Sequence, residues 1–332
     1  MARIVVVADD LTGANATGGL FAEHGFSTVT LLDERGLNGA LDRYDIVCLS
    51  TGSRHLDPDE ASERVRRAVA SGEDVSLVVK RIDTTLRGNV GAEIEAALGA
   101  APTRRRALIV PAFPAAGRTT EGGLQLLDGV PLAETEAARD PLSPVTSSRV
   151  VDVVTGRSDL ELAELTGADL RDRDALERAL SSGPVGVVCD AGDDDDLAAI
   201  AAAAVAVAAR TGVEWMSVDP GPFGPHLAAA LGLRGSAARS RPEQPAPRLG
   251  PLVIACGSVT ARTLEQLAHI EEVLAARFVH LDIAELDSRA AGTELLRLLE
   301  RAPVDGVVGV RTAAAASDVR SIDGAGARRV LD

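Results

Sequence analysis

The chain has 332 residues, a formal net charge of −15 and an aromatic content of only 2%. This length allows two domains. The acidic balance excludes a nucleic-acid backbone as the main partner, because binding to that backbone requires a basic surface. The core must be aliphatic, since 46% of the residues are hydrophobic but few of them are aromatic.

The N-terminus and the apolar runs give no membrane signal. Residues 1–10 have the pattern of a first strand that meets two acidic residues at once, which is not the pattern of a signal peptide. No apolar run approaches the ~20 residues of a membrane span. We therefore expect a cytoplasmic protein with no membrane partner.

Short apolar runs alternate with helical patterns along the chain, which predicts an α/β fold with mostly parallel sheets flanked by helices. The predicted strands cover residues 4–8, 27–32, 46–50, 75–79, 107–110, 185–189, 214–219, 251–256, 278–281 and 306–310. Residues 121–150 carry several turn signals and are predicted to be irregular. Residues 235–250 are rich in proline and lack periodicity. We predict two domains, 1–234 and 251–332, joined by this linker.

The loop after the strand at 75–79 is the first candidate for ligand recognition. It carries cations, an acid, hydroxyls, a glycine and an amide, namely Lys80, Arg81, Asp83, Thr84, Thr85, Arg87, Gly88 and Asn89. Ligands of open α/β sheets lie outside the carboxyl ends of the strands. These groups therefore suit a small, hydroxylated anion.

Asp9 and Asp10 follow the first strand, and Thr12 with Gly13 comes directly after them. Paired acids at a strand end can hold sugar hydroxyls, act as a general base or reach a hydrated Mg²⁺. Because helix starts also take acids as caps, a purely structural role for the pair stays open.

Two further loops carry arginines at comparable depth. Arg54 follows the strand at 46–50 and could pair with a carboxylate, although it could equally be a surface residue; we interpret its neighbour His55 as structural. Residues 111–120 have prolines, Gly117 and Arg118, which fits a shaped ligand loop or a rigid turn with an exposed arginine.

Two other segments have weaker signals. Gly257, Ser258 and Thr260 lie between the first strand after the linker and a helix, where backbone N–H groups suit a nucleotide phosphate. The acidic tract 193–196 is interpreted as a solvated helix cap in preference to a metal site. No P-loop, GxGxxG, HExxH or GxSxG motif is present.

Several of these motifs together resemble the four-carbon acid sugar kinase family, which includes 3-oxo-tetronate and threonate kinases. The likeness is carried by residues 8–14, 80–89 and 111–120, by Gly122–Gly123, residues 129–131, Glu134–Thr135, Asp140–Pro141 and Pro144, and after the linker by Gly257–Ser258, Thr263 and Gln266. It covers residues 1–150 closely and about 151–310 more loosely.

The resemblance implies an N-terminal domain that binds a four-carbon sugar acid and a C-terminal domain that binds ATP, with Mg²⁺ as cofactor. Asp9, Asp10 and Arg87 would be catalytic, and no residue is assigned as a metal ligand. The substrate-binding residues would be Thr12, Arg54, Lys80, Arg81, Asp83, Thr84, Gly88, Asn89 and Arg118. The nucleotide-binding residues would be Gly257, Ser258 and Thr260. Phosphoryl transfer needs positioning and charge stabilisation, which these groups supply.

Members of that family usually continue into a glycine-rich, GGDT-like segment and a later glycine that close over the nucleotide. Neither feature occurs before Asp332, so we expect 251–332 to be a shortened nucleotide-binding domain. Two interpretations therefore stand: a sugar-acid kinase, or a non-kinase descendant that keeps the acid-binding domain as a binding protein or an enzyme of other chemistry. A missing sheet edge in the second domain would favour a homodimer.

Overall fold

The structure, a computed structural model, divides into two compact units, Met1–Arg239 and Ser240–Asp332. It describes residues 3–72, 74–101, 103, 105–140, 142–170, 172–181, 183–236, 250–258, 261–281, 288–303 and 306–313. No helix among these residues is long and apolar enough to cross a membrane.

The first unit is built on an eight-stranded parallel sheet. Its chain contains strands β1 (Ile4–Ala8), β2 (Thr28–Leu31), β3 (Ile46–Ser50), β4 (Leu77–Arg81), β5 (Arg105–Ile109), β6 (Arg118–Glu121), β7 (Leu124–Leu127), β8 (Val130–Pro131), β9 (Leu162–Leu165), β10 (Gly186–Cys189) and β11 (Glu214–Asp219). The large sheet has the order β2-β3-β1-β4-β11-β5-β10-β9, and all of its neighbours pair in parallel. The predicted α/β class with mostly parallel sheets is confirmed.

Helices cover both faces of this sheet. They are α1 (Leu11–Glu23), α2 (Leu37–Leu41), α3 (Pro58–Ala70), α4 (Val90–Ala100), α5 (Val150–Thr155), α6 (Gly167–Leu170), α7 (Arg173–Ser181), α8 (Asp194–Thr211) and α9 (Phe223–Ala230). One core contains alternate residues of β1 with α1, α7, α8 and α9. The other contains the intervening residues of β1 with α2, α3, α4 and α5. This two-sided burial explains why β1 is a continuous apolar run.

Two expectations about local structure need correction. Residues 121–150 are not irregular throughout, because β6, β7 and β8 form a small antiparallel sheet. The turn signals at 122–123 and 128–129 connect these strands, and all four residues there have positive φ. The strand predicted at 75–79 also ends later than expected, so Lys80 and Arg81 lie within β4 and not in its exit loop.

The acidic tract opens α8, and its first residue acts as the cap. The side chain of Asp193 accepts a hydrogen bond from the backbone N of Asp196 at 2.9 Å. Asp194, Asp195 and Asp196 occupy the first turn, where the positive end of the helix dipole favours negative charge.

The described part of the second unit contains a three-stranded parallel sheet and two helices. Strands β12 (Leu252–Cys256), β13 (Arg277–His280) and β14 (Val307–Arg311) have the order β12-β14-β13. Helices α10 (Ala261–Leu274) and α11 (Ser288–Arg301) connect them in the chain. The parallel pairing agrees with the alternating strand and helix pattern of the sequence.

Candidate functional site

The strand order creates a topological switch point between β1 and β4. After β1 the chain passes through α1 toward β2 at one edge, and after β4 it passes through α4 toward β5 on the other side. Helices α1 and α4 contribute to different cores, so they lie on opposite faces of the sheet. A crevice outside the carboxyl ends of two such strands is the usual ligand site of this architecture.

Arg54 connects the loop after β3 to both acids that follow β1. Its Nε and Nη2 donate to Oδ2 and Oδ1 of Asp9 at 2.7 and 3.0 Å. Its Nη1 lies 2.8 Å from Oδ2 of Asp10. The other oxygen of Asp10 accepts from the backbone N of Gly13 at 2.7 Å and so caps α1. The sequence left open whether the paired acids cap a helix or belong to a site. Asp10 combines the two roles, because one of its oxygens caps α1 and the other contacts Arg54.

Arg87 connects two further aspartates in the same way. Its Nε and Nη2 donate to Oδ2 and Oδ1 of Asp83 at 2.8 and 3.1 Å, and its Nη1 donates to Oδ2 of Asp140 at 3.2 Å. Arg54 Nη2 lies 3.5 Å from Asp83 Oδ1. The contacts of Arg54 and Arg87 are therefore contiguous. We call the six side chains of Asp9, Asp10, Arg54, Asp83, Arg87 and Asp140 the aspartate–arginine cluster.

Charge pairing in the cluster favours the ionised forms of Asp83 and Arg54. Burial opposes the charge on Asp83, but hydrogen bonds and charge from Arg87 and Arg54 outweigh it and hold the pKa of this carboxyl far below its usual value. Burial likewise opposes the charge on Arg54, yet three neighbouring carboxylates raise the pKa of its guanidinium. Four carboxylates face two guanidiniums here, so the cluster has acceptor oxygens in excess.

Backbone conformation brings the loop after β4 close to the cluster. Gly88 has φ +92°, and a Cβ there would lie 3.3 Å from Arg54 Cγ and 3.4 Å from Asp9 Oδ2. Only glycine fits this close approach without strain. Leu86 also has positive φ, at 58°, although its side chain is buried. Such a non-glycine outlier is typical of ligand loops whose surroundings over-determine the backbone.

Arg81 lies against the start of α1. A Cβ on Gly13 would be 2.9 Å from Arg81 Nε and 2.6 Å from Asp10 Oδ1. The Arg81 side chain is buried, it donates to the carbonyl of Ile82, and its Nε has no hydrogen-bond partner among the described residues. Asp219, which ends β11 beside Arg81, is fully buried, and burial raises the pKa of its carboxyl.

Lys80 does not reach the crevice in this structure. It is fully buried in β4, its Nζ lies 2.8 Å from Glu93 Oε2 of α4, and it donates to the carbonyl of Arg81 at 2.7 Å. Ser53 Oγ donates to the other oxygen of Glu93 at 2.6 Å. The physical reason is strand alternation, which points Lys80 toward α4. The sequence predicts a substrate contact for Lys80. In the structure Lys80 instead forms a buried ion pair with Glu93 beneath the site.

Asn89 is also buried, and it bridges two loops. Its Nδ2 donates to the carbonyls of Leu56 and Ser53 at 2.9 and 3.3 Å. Its Oδ1 accepts from Nη1 of Arg157 at 2.6 Å. Asn89 thereby ties the loop after β4 to the loop after β3 and positions Arg157.

Three other predicted residues have no hydrogen bond or ion pair with the cluster in the part of the chain that the structure describes. Thr12 is exposed in the first turn of α1, and Thr84 is half-buried in the loop after β4. Arg118 begins β6 and donates to the carbonyl of Ala116. Among the described contacts, none joins Arg118 to Arg54 or Arg87.

The predicted nucleotide loop is only partly described. Gly257 and Ser258 are exposed after β12, and the hydroxyls of Ser258 and Thr263 lie 2.9 Å apart. Thr312 Oγ1 donates to the carbonyl of Gly257 at 3.3 Å. Thr260 lies outside the described residues.

Sequence reasoning missed residues whose importance depends on tertiary contacts. In the sequence Asp140 stands out only as part of a motif, and its pairing with Arg87 depends on a segment 53 residues away. Burial lowers the pKa of His55, which lies near the same aspartate, with its Nδ1 3.3 Å from Ser143 Oγ. Glu93 and Arg157 carried no sequence signal, because most acids and arginines face solvent.

Comparison with known proteins shows which proteins this chain is similar to. A family described as "Sugar-binding N-terminal domain" matches residues 4–227. A D-erythronate kinase of Heliobacterium modesticaldum is 36% identical, with 96% of this chain and 73% of that protein covered. A D-threonate kinase of Salmonella typhimurium is 34% identical, with 90% and 68% covered. A 3-oxo-tetronate kinase of Methylobacterium radiotolerans is 29% identical, with 96% and 76% covered.

Solved structures show the same fold. A Salmonella typhimurium protein, 22% identical, superposes with a TM-score of 0.73 and covers 96% of this chain and 76% of its own. A domain of unknown function from Bordetella bronchiseptica, solved with bound citrate as a domain-swapped dimer, is 26% identical with a TM-score of 0.59, and the match covers 99% and 78% of the two chains. The family match over residues 4–227 and the kinase relatives that are 36% and 34% identical establish that the chain belongs to the four-carbon acid sugar kinase family.

Proposed function

We propose that this protein is an ATP-dependent kinase that phosphorylates a hydroxyl of a four-carbon sugar acid of the tetronate or threonate type. The observation that carries the proposal is the aspartate–arginine cluster at the switch point of the sheet. Its excess of carboxylate oxygens suits a polyhydroxylated ligand, because sugar hydroxyls donate hydrogen bonds to such acceptors. The relatives named as D-erythronate, D-threonate and 3-oxo-tetronate kinases support the substrate class.

Asp10 is the strongest candidate for the general base. Its side chain is 28% exposed, whereas those of Asp9 and Asp83 are 4% and 6% exposed. Each Asp10 oxygen has one described partner and keeps a further lone pair for a substrate hydroxyl. In the proposed step, the hydroxyl proton passes to Asp10 as the hydroxyl oxygen bonds to the γ-phosphorus and ADP leaves.

The arginines of the cluster hold the acids in place and supply positive charge. Arg54 fixes Asp9 and Asp10, and Arg87 fixes Asp83. Arg87 is 33% exposed, against 12% for Arg54, so Arg87 is the better placed of the two to meet a transferring phosphoryl group. Preorganised cations of this kind stabilise developing charge without reorganisation.

In this proposal the second unit binds ATP through the loop of Gly257 and Ser258. The exposed backbone and hydroxyl before α10 fit a phosphate, because helix starts favour anions. Mg²⁺ usually binds one or two carboxylates together with substrate phosphates, and Asp10 offers an accessible carboxylate. When bound, the ion would neutralise charge on the phosphates.

The test is a coupled kinase assay on the full chain with Mg-ATP and a panel of D-threonate, D-erythronate and 3-oxo-tetronate. We expect turnover with at least one acid, and a loss of about 10²–10⁴-fold in kcat for Asp10→Asn. Arg87→Ala should remove acid binding while the protein remains folded. The matched control is Asp174→Asn, an exposed acid in the first turn of α7, which should leave kcat unchanged.

Calorimetric titration separates this proposal from a non-kinase descendant. Saturable binding of Mg-ATP at micromolar strength is the expected result. Binding of a sugar acid without any binding of Mg-ATP would end the kinase proposal and leave a binding protein or an enzyme of other chemistry.

We also propose that the protein forms a homodimer. The Bordetella bronchiseptica relative was solved as a domain-swapped dimer. Strand β12 ends the described order of the second sheet, and its Leu252 and Val253 are 37% and 48% exposed. Light scattering should give twice the chain mass, and Val253→Lys should shift the protein toward the monomer if this strand contributes to the interface.

A further inference from the structure

A small cavity opens beside the aspartate–arginine cluster. Its volume is about 170 Å³, and its wall includes Leu86 and Gly88 of the loop that carries Arg87. This volume is below the ~300–1,000 Å³ typical of cavities for drug-sized ligands. The cavity therefore suits one end of a small molecule whose other end reaches the cluster.

The rest of the wall has several hydroxyl groups, one cation and one acid, Asp152, whose Oδ2 accepts a hydrogen bond from Ser147 Oγ at 3.0 Å. Ser143, Thr146 and Ser147 line it from the loop before α5, and Arg157 lines it from the turn after that helix. Ser143 also connects the cavity to the cluster, because its backbone N donates to Asp140 Oδ1 at 2.8 Å. Hydroxyls and a guanidinium together are groups that bind a carboxylate.

Arg157 has no ionic partner among the described residues, and its one described side-chain bond is the 2.6 Å contact with Asn89 Oδ1. The orientation of that amide is fixed, since its nitrogen already donates to the carbonyls of Leu56 and Ser53. A guanidinium has five N–H donors in a planar fork. Asn89 therefore engages one nitrogen of the Arg157 guanidinium, and the other N–H donors of that guanidinium remain available for a ligand.

The arginines of the aspartate–arginine cluster differ from Arg157, because they are already paired with carboxylates. Arg54 and Arg87 each form a two-point pair with an aspartate, and Arg54 contacts two further carboxylates whereas Arg87 contacts one. A ligand carboxylate placed there would have to displace one of these acids, and the surrounding negative charge would repel it. The cluster favours hydroxyls, whereas the cavity beside it favours the acid end.

We propose that Arg157, positioned by Asn89, binds the carboxylate of the sugar acid and makes the enzyme specific for acids over the matching sugar alcohols. This proposal deepens the proposed function and rests on it. The hydroxyls of the same substrate then face the carboxylates of the cluster, where one of them loses its proton to Asp10.

The test compares acids with neutral analogues of the same carbon skeleton. Binding of D-threonate and D-erythronate, and of threitol and erythritol, is measured by calorimetry for the parent, Arg157→Ala and Arg157→Lys. We expect Arg157→Ala to weaken acid binding about 10- to 100-fold and to leave binding of the alcohols unchanged. Arg157→Lys should restore part of the loss, because it keeps the charge but not the planar fork. Arg178→Ala, an exposed arginine of α7, is the control and should change neither.

Kinase assays separate the possible failures. Retention of the parent preference for acids in Arg157→Ala would overturn this proposal while leaving the proposed function intact. A raised KM for ATP with an unchanged KM for the acid would also overturn it, since Arg157 would then serve the phosphate. If the parent phosphorylates no sugar acid, the proposed function itself fails, and the acid-versus-alcohol comparison still decides the role of Arg157. A thermal midpoint equal to the parent's establishes that the variant is folded.

Discussion

Arg54 and Asp9 form a two-point ion pair between residues 45 apart in sequence, with Nε–Oδ2 and Nη2–Oδ1 distances of 2.7 and 3.0 Å. The pair joins the loops that follow β3 and β1, which are neighbouring strands of the sheet. Both side chains are largely buried, at 12% and 4% exposure. The position of the first acid in the crevice therefore depends on an arginine from another loop.

Removal of this arginine should destabilise the protein and disable the site. Arg54→Gln leaves Asp9 buried without its two-point partner, and breaking a buried pair in this way costs about 3–5 kcal/mol. Urea denaturation measures the loss in the free energy of unfolding. Arg178→Gln is the control, because its pair with Asp172 is long and exposed at 3.8 Å, and it should change stability by no more than ~0.5 kcal/mol. Equal stability of the two variants would contradict the structural role of Arg54.

Stability should fall in acid partly because of Asp83. The pKa of its carboxyl is lowered in the folded protein, so its contribution is complete above the unfolded value of ~3.9 and is lost as the pH falls through the folded value. Asp83→Asn should therefore be less stable than the parent at pH 7, and the difference should narrow below about pH 4. Denaturation at a series of pH values measures this. A difference that stays constant down to pH 2 would exclude charge pairing as its source.

Gly88→Ala should reduce acid binding. The substitution places a Cβ 3.3 Å from Arg54 Cγ in a backbone with φ +92°, so Arg54 must shift. The matched control is Gly122→Ala, which also has positive φ, at 61°, but has nothing within 4 Å of the added carbon. Both variants should lose about 1–2 kcal/mol of stability from the backbone, whereas only Gly88→Ala should lose affinity for the acid. Equal affinities in calorimetry would place the loop outside the site.

A double-mutant cycle on Lys80 and Glu93 tests whether Lys80 is structural. Lys80→Met alone leaves a buried carboxylate unpaired and should cost about 3–5 kcal/mol. Adding Glu93→Gln should recover part of that loss, because the remaining charge is then gone. The measurement is the coupling free energy from urea denaturation of the four proteins. A stable Lys80→Met variant that cannot bind the acid would instead favour the direct substrate contact that the sequence predicted.

The sequence identified the strands that carry the functional loops without any tertiary information, although β4 ends at Arg81 and not at the predicted residue 79. Continuous apolar runs such as residues 4–8 identify strands buried on both faces, and parallel strands place their exit loops on one edge. That is why Asp9, Arg54 and Asp83 could be assigned to one site although they follow different strands. The long ordered motifs at 8–14 and 80–89 also allowed the family to be recognised, which the comparisons confirmed.

The contact partners and the exposure of individual side chains could be learned only from the folded structure. Lys80 and Arg87 are both cations near the end of β4, but a two-residue change in the strand end buries Lys80 against Glu93 and leaves Arg87 at the crevice. Likewise, Arg157 is one of many arginines in the sequence, and only its contact with Asn89 beside the cavity distinguishes it. Sequence patterns indicate the burial and direction of each element, because both depend on residues that are near one another in the chain. The pairing of charges across loops depends on which distant segments the sheet order brings together, and only the tertiary structure decides that.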